Sequence, residues 1–170
     1  MWSKIKVKTA NNIILIGMPG SGKSTCGVLA AKALCMRFVD TDLVLQQQLR
    51  MPLQQILNKK GKAFFEQEEE KWLCAVVCND TVIATGGSAV NYEKAMRHLA
   101  QIGTVVYLKI SYEEMCARIK NITTRGIVLE EGETLESMYH KREALYERYA
   151  ERIIDCEKLT AEEVVAELCK

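Results

Sequence analysis

A nine-residue segment near the start of the 170-residue chain has the composition of a phosphate-binding loop. Residues 17–25 read Gly-Met-Pro-Gly-Ser-Gly-Lys-Ser-Thr and match the pattern G-x-x-x-x-G-K-[ST]. Such a loop points several backbone N–H groups at an anion, and glycine lets the backbone approach without a Cβ in the way. Lys23 would reach the terminal phosphates of a nucleotide, and the hydroxyl of Ser24 would hold Mg²⁺. The residues expected to bind the nucleotide are Gly17, Gly20, Ser21, Gly22, Lys23, Ser24 and Thr25.

The surroundings of this segment decide between phosphate binding and a glycine-rich turn that merely opens a helix. An apolar run at residues 13–16 comes directly before it, and a helical pattern comes directly after it. A strand before the loop and a helix behind it are the context that a phosphate-binding loop requires. We therefore expect a bound nucleotide.

Two further polar motifs follow predicted strands. Asp40-Thr41-Asp42 comes after Phe38-Val39, and the segment 85–88, Thr-Gly-Gly-Ser, comes after the apolar run at 82–84. In an open parallel sheet, ligands bind at the carboxyl ends of the strands. The three motifs are therefore expected to converge on one edge of the sheet.

One long segment, residues 120–133, does not fit the alternation of strands and helices. A loop of this length in a small domain is more often functional than idle. We interpret it as a mobile lid that carries Arg125 and closes over the phosphates, since phosphoryl transfer needs water excluded and charge neutralised. The alternative is a surface excursion in which Arg125 is simply solvated.

The elements that must position these residues are predicted from the alternation of short apolar runs with helical stretches. This alternation is typical of a parallel sheet covered by helices on both faces. Residues 1–170 are predicted to form a single domain. Ser111 and Thr160 each precede a glutamate by three residues, which is the pattern of a capping box.

Composition narrows the choice of partners. The 23 Lys and Arg residues nearly balance the 22 Asp and Glu residues, so nothing in the charge balance favours nucleic acid or a membrane surface. The seven cysteines are odd in number and lie in apolar segments, which indicates core residues in a reducing compartment. We expect a cytoplasmic monomer with a small-molecule substrate, and no metal at Cys74 and Cys78, because no second ligand pair lies near them.

Taken together, these motifs resemble those of the shikimate kinases, small members of the nucleoside-monophosphate-kinase-like P-loop group. The resemblance spans residues 12–155 and includes the three motifs above, the helix start at 61–70, Thr124-Arg125 and the segment 142–146. It implies a P-loop NTPase fold, a three-layer α/β/α sandwich with a five-stranded parallel sheet and a mobile lid. It also implies ATP and Mg²⁺ as cofactors, and transfer of the γ-phosphoryl group to shikimate.

The resemblance also assigns roles to individual residues. Asp40 would lie near Mg²⁺ with Ser24, and Asp42 would orient the acceptor hydroxyl and help to remove its proton. The alternative for Asp42, which is compatible with this role, is that it caps a helix that starts at Leu43. The catalytic set would be Lys23, Asp42 and the lid residue Arg125.

The remaining assignments concern the two ligands. Gly86 and Gly87 would let backbone amides approach the acceptor, and Arg142 would hold its carboxylate with a guanidinium fork. Arg118 would stack on adenine, or it would belong to the solvated face of the helix over 111–119.

Glu66 departs from the family pattern, which has an arginine that clamps the acceptor carboxylate at this position. Glu66 and Glu69 are three residues apart on one helical face, so with Asp42 they predict an acidic pocket that favours an acceptor with an ammonium group. The alternative is an ion pair of Glu66 with Lys62. Ser88, which stands for a third glycine, and Gly126, which stands for a proline, are smaller departures.

These departures leave several functions open. The first is shikimate phosphorylation; the second is a related kinase whose acceptor is a hydroxy amino acid or an amino alcohol. A nucleotide-binding regulatory module without transfer activity is a third. A monophosphate kinase that reads a base is less favoured, because the lid offers only Arg125 to two phosphorylated substrates.

Overall fold

Five parallel strands form the centre of the molecule in a computed structural model that describes residues 10–119 and 127–170. The sheet order is β2-β3-β1-β4-β5, and every neighbouring pair is parallel. The middle strands are mostly apolar and largely buried, as expected of strands covered on both faces. The strands are β1 (Asn12–Ile16), β2 (Arg37–Asp40), β3 (Thr81–Ala84), β4 (Gly103–Lys109) and β5 (Arg152–Asp155).

Helices cover both faces of this sheet. The chain moves from β1 to β2 in one direction and from β3 to β4 in the other, so right-handed crossovers place the connecting helices on opposite faces. The first connecting helix packs against the C-terminal one. The described helices are α1 (Lys23–Ala33), α2 (Thr41–Leu49), α3 (Leu53–Lys60), α4 (Lys62–Ala75), α5 (Glu93–Ile102), α6 (Tyr112–Arg118), α7 (Leu135–Tyr149) and α8 (Ala161–Leu168), with a 3₁₀ turn at Ala89–Asn91.

A second apolar cluster lies apart from the core of the sheet. Residues of α2, α3 and α4 form it together with Val128, which follows the 120–126 segment in sequence. The cluster therefore fixes the three helices that come after β2 and the chain that leads into α7. Its buried members are Leu45, Leu53, Ile56, Phe65 and Val128.

The helix that follows β2 begins earlier than the sequence predicts. Asp40, in extended conformation, is its N-cap and accepts hydrogen bonds from the N–H groups of Asp42 (3.0 Å) and Leu43 (3.2 Å). The prediction that Asp42 caps a helix starting at Leu43 is wrong, because Asp42 already lies in the first turn. Its carboxylate is thereby left for other contacts.

Cysteines, metal ligands and membrane-spanning helices were all considered from the composition. All seven cysteines are free, with Cys26 and Cys156 buried. Within residues 10–119 and 127–170, no three His, Cys, Asp or Glu side chains are grouped as metal ligands. None of the helices described there has the length and apolar character needed to cross a membrane.

Thr160 provides a test of local stability, because its predicted capping box is confirmed. Its hydroxyl accepts from the N–H of Glu163, and the Glu163 carboxylate accepts from the N–H of Thr160 at 2.7 Å. We expect Thr160→Ala to lower the free energy of unfolding by about 1 kcal/mol, measured by urea denaturation. Thr160→Ser keeps the hydroxyl and should stay close to wild type; an equal loss in both variants would contradict the capping explanation.

Candidate active site

The phosphate-binding loop joins β1 to α1 and holds Lys23 inside its own curve. The Lys23 ammonium donates to the carbonyl oxygens of Gly17 (2.7 Å) and Met18 (2.8 Å) and to the Ser21 hydroxyl (3.3 Å). Gly22 precedes α1 with φ 92, a left-handed conformation that favours glycine. The first N–H groups of α1 have no acceptor within the helix, so this end of α1 favours an anion.

Ser24 and Asp40 meet across the start of α1 and the end of β2. The Ser24 hydroxyl donates to Oδ2 of Asp40 at 2.6 Å, while Oδ1 of Asp40 caps α2. Hydroxyl and carboxylate oxygens are ligands of the kind that Mg²⁺ prefers, and Mg²⁺ often takes only one or two of them from the protein. The pair therefore fits the expected cation.

Asp42 is a partly buried residue whose carboxyl pKa lies far from the ordinary value. Burial raises this pKa to about 7, and the charges of Glu69 and Asp40 add to the rise while the Lys23 ammonium opposes it. A carboxyl with a pKa near neutrality accepts a proton efficiently at physiological pH. Burial and the neighbouring carboxylates thus bring the pKa of Asp42 into the range that suits a general base, and that role stays a prediction.

Glu69 lies close to Asp42, and both carboxylates face the same side of Gly86. A Cβ on Gly86 would be 2.5 Å from Oε1 of Glu69 and 2.7 Å from Oδ1 of Asp42, so only glycine leaves room for both carboxylates. The Glu69 side chain is 3% exposed, and burial raises its pKa. Its Oε2 accepts hydrogen bonds from the hydroxyls of Ser88 (2.6 Å) and Tyr92 (2.7 Å).

Arg142 projects from α7 to the opposite side of the same glycine pair. It is 4% exposed, and its Nη2 donates to the carbonyl oxygen of Val128 at 2.8 Å. Its Nη1 points at Gly87, where a Cβ would lie 3.6 Å away. The Tyr146 hydroxyl, one turn further along α7, donates to the Gly87 carbonyl at 2.6 Å and fixes that loop against the helix.

A cavity of about 550 Å³ connects these groups. The phosphate-binding loop and Asp40 contribute to its lining, and so do Asp42, Gly86, Gly87 and Arg142. The predicted site residues that line it are Gly20, Gly22, Lys23, Ser24, Thr25, Asp40, Asp42, Gly86, Gly87, Arg118 and Arg142.

Gly17 and Ser21 are not among the described residues that line the cavity. Gly17 and Ser21 contact Lys23 from within the loop. Arg118 donates to the carbonyl of Gly20 (3.3 Å) and to Glu114 (2.6 Å), which places it beside the loop; adenine stacking stays a prediction. Arg125 lies outside the described residues, as do all of residues 120–126 of the expected lid.

Glu66 is not among the described residues that line the cavity. Its carboxylate lies 3.7 Å from the Lys62 ammonium, and Lys62 also contacts Glu130 at 2.5 Å. The structure thus shows the ion pair that was the alternative for Glu66, because the i,i+4 spacing on α4 brings the two side chains together. A role for Glu66 in acceptor binding stays a prediction.

Several cavity residues were not expected from the sequence. Ser88 lines the cavity, although the sequence predicted no role for it beyond replacing a glycine. Glu69 was predicted only to share a helical face with Glu66, and it lies close to Gly86. Apolar side chains complete the acceptor end. They are Leu43, Leu53, Phe65, Ile127 and Val128. Short motifs carry no signal for such residues, since they reach the cavity through packing.

The raised pKa of Asp42 predicts a stability effect. Ionising this carboxyl costs free energy in the folded protein between about pH 4, its usual pKa, and about pH 7. The stability of the wild type should therefore fall as pH rises through this window, and Asp42→Asn should escape the loss. We expect the advantage of Asp42→Asn to be roughly 2–3 kcal/mol larger at pH 8 than at pH 5.

Urea denaturation at both pH values measures this difference. Glu157→Gln, at an exposed carboxylate, serves as the control and should show nearly the same stability relative to wild type at both pH values. A constant advantage of Asp42→Asn from pH 5 to pH 8 would contradict the raised pKa.

Comparison with known proteins identifies the family. The family model described as shikimate kinase matches residues 19–170. A shikimate kinase of Thermodesulfovibrio yellowstonii is 36% identical over 162 residues, which cover 94% of this chain and 93% of the relative.

Solved structures agree with the sequence comparison. Shikimate kinase from Acinetobacter baumannii in complex with shikimate has a TM-score of 0.82 and 27% identity, over 95% of this chain and 92% of its own. Shikimate kinase from Aquifex aeolicus has a TM-score of 0.80 and 30% identity, over 92% of this chain and 93% of its own.

The expected P-loop NTPase fold with its five-stranded parallel sheet is confirmed. With a phosphate-binding loop and the Asp42 carboxyl in one cavity, the chain belongs to the shikimate kinase family and is a phosphotransferase that acts on a hydroxyl group.

Proposed function

We propose that this protein transfers the γ-phosphoryl group of ATP to a hydroxyl of a small carboxylate-bearing metabolite, with shikimate as the reference acceptor. The observation that supports this most directly is that Lys23, Asp42 and Arg142 line the same cavity. The name of the relatives, and the shikimate in the Acinetobacter structure, suggest the acceptor.

The donor end would bind the phosphates through the loop. Backbone N–H groups at the start of α1 and the Lys23 ammonium would stabilise negative charge on the transferring group. Mg²⁺, when bound, supplies charge neutralisation between the phosphates, and Ser24 and Asp40 would hold it. Arg125 remains the proposed lid residue that adds positive charge.

The acceptor end would orient the nucleophile. The carboxylate of Asp42 would accept a hydrogen bond from the reacting hydroxyl and take its proton as transfer proceeds. Arg142 would bind the carboxylate of the acceptor, for which a guanidinium fork has matching geometry. Holding both ends of the acceptor in this way would align the hydroxyl with the γ-phosphate.

A coupled assay of ADP release tests the proposed function. With ATP, MgCl₂ and shikimate, we expect ADP release that depends on the acceptor, and Lys23→Ala should reduce kcat/KM by about 10²-fold or more. A regulatory module would instead bind ATP without acceptor-dependent turnover. That result, obtained across a panel of hydroxyl acceptors with the folded protein, would overturn the proposal.

Arg142 allows the two ends of the site to be tested separately. Arg142→Lys keeps the charge but removes the fork, so we expect KM for a carboxylate-bearing acceptor to rise about tenfold while KM for ATP stays the same. Steady-state kinetics with each substrate varied in turn measures both values. A rise in KM for ATP of equal size would show that Arg142 acts on the donor side or only on the fold.

A further inference from the structure

Gln46 lines the cavity and is held at the corner between α2 and α3. Its backbone carbonyl accepts from the N–H groups of Arg50 and Met51, and its side-chain Oε1 accepts from the N–H of Leu53 at 3.3 Å. Leu53 is the first residue of α3, and an N–H in the first turn of a helix has no acceptor within that helix. The side chain of Gln46 therefore caps α3, which restricts its orientation.

The contact with Leu53 also determines which atom of the Gln46 amide stays available. A backbone N–H needs an acceptor, so the atom that faces Leu53 must be the amide oxygen and not the nitrogen. The nitrogen, Nε2, carries two N–H donors and has no hydrogen bond to another described residue. The amide is thus bound through its oxygen and keeps its donors for a ligand.

Few side-chain donors line the cavity away from the phosphate-binding loop. The hydroxyls of Thr85 and Ser88 already donate to protein acceptors, the Leu15 carbonyl and the Glu69 carboxylate. The described lining residues with nitrogen donors in their side chains are Lys23, Gln46, Arg118 and Arg142. The first and third of these contact the loop, which leaves Gln46 and Arg142 as the nitrogen donors for the rest of the cavity.

The backbone partners of these two donors belong to one apolar cluster. Gln46 accepts from Leu53 and Arg142 donates to Val128, and both partners line the cavity and pack in the second apolar cluster. A donor left unpaired beside such walls, once a ligand has displaced water, costs free energy. A ligand that fills this part of the cavity is therefore selected for an oxygen that can pair with Gln46.

Gln46 also lies one helical turn after Asp42 on α2. Residues four apart lie on the same face of a helix with their Cβ atoms roughly 5–6 Å apart, and both of these side chains line the cavity. An acceptor whose reacting hydroxyl contacts Asp42 can therefore reach Gln46 with a second polar group.

We propose that Gln46 is a specificity-determining residue whose amide N–H donates to the carboxylate of the acceptor, together with Arg142. This inference rests on the proposed function and adds a residue to the acceptor site. The cap on α3 holds the amide in place before the ligand binds, so little side-chain entropy is lost on binding. A carboxylate satisfies this donor with a charge-assisted hydrogen bond, whereas a cationic group would leave it unpaired.

Gln46→Glu removes the donor and keeps the cap. A carboxylate at this position still accepts from the N–H of Leu53, but it has no N–H to donate and repels the acceptor carboxylate. We expect KM for shikimate to rise at least about tenfold while KM for ATP stays the same. With methyl shikimate, an ester without the negative charge, the loss in kcat/KM should be at least about threefold smaller than with shikimate.

Two further variants separate ligand binding from stability. Gln47→Glu makes the same change at the next residue, which is exposed and is not among the described residues that line the cavity, so KM for shikimate should stay within about twofold of wild type. Gln46→Met removes both the donor and the cap, so it should raise KM for shikimate and also unfold at a lower urea concentration. Gln46→Glu should unfold at about the wild-type concentration.

The outcomes separate this inference from the proposed function. A rise in KM for shikimate in Gln46→Met but not in Gln46→Glu would show that Gln46 only caps α3 and would overturn the inference. Equal losses with shikimate and its methyl ester, or an equal loss in Gln47→Glu, would overturn the contact with the carboxylate. Absence of ADP release with shikimate would also overturn the inference, and absence across a panel of hydroxyl acceptors would overturn the proposed function as well.

Discussion

A carboxylate removed from water must be stabilised by hydrogen-bond donors or by a nearby cation. Glu69 is such a carboxylate, and the groups that stabilise it determine the arrangement of the residues around Asp42. Its burial raises its pKa, while two hydroxyl donors and the charge of Arg142 act in the opposite direction. The hydrogen bond to Glu69 orients the Ser88 hydroxyl. The Glu69 carboxylate also leaves room only for glycine at position 86, and its charge raises the pKa of Asp42. The properties of Asp42 are therefore set partly by a residue that does not line the cavity.

Three consecutive residues connect the two ends of the site. Asp40 contacts Ser24 on the donor side, Thr41 accepts a hydrogen bond from the N–H of Gly86, and Asp42 lines the acceptor end. In the proposed reaction, the junction of β2 and α2 would thus set the distance between donor and acceptor. A conformational change there would move all three contacts together, since they share one short stretch of backbone.

The sequence predicts what is encoded locally. The phosphate-binding loop and the residues that follow β2 and β3 could be located because a motif and a strand end are both properties of adjacent residues. The capping of α2 was wrongly predicted, because two aspartates lie two positions apart and the extended conformation of Asp40 decides between them.

Glu66 and Glu69 show a different limit. Helical spacing correctly places them on neighbouring positions of α4, but it does not determine how that helix is rotated about its axis. Packing of Phe65 and Leu73 into the interior turns Glu69 inward and leaves Glu66 beside Lys62. That rotation depends on contacts with other helices, which no motif in α4 specifies.

The carbonyl of Val128 accepts from Arg142 while its side chain packs in the second apolar cluster. The segment that leads from the 120–126 region into α7 is thus attached to the guanidinium that would bind the acceptor. Any ligand that changes the hydrogen bonding of Arg142 also changes the free energy of that attachment, and linkage makes the effect mutual. Under the proposed role of Arg142, acceptor affinity and the position of the chain around Val128 would therefore be coupled.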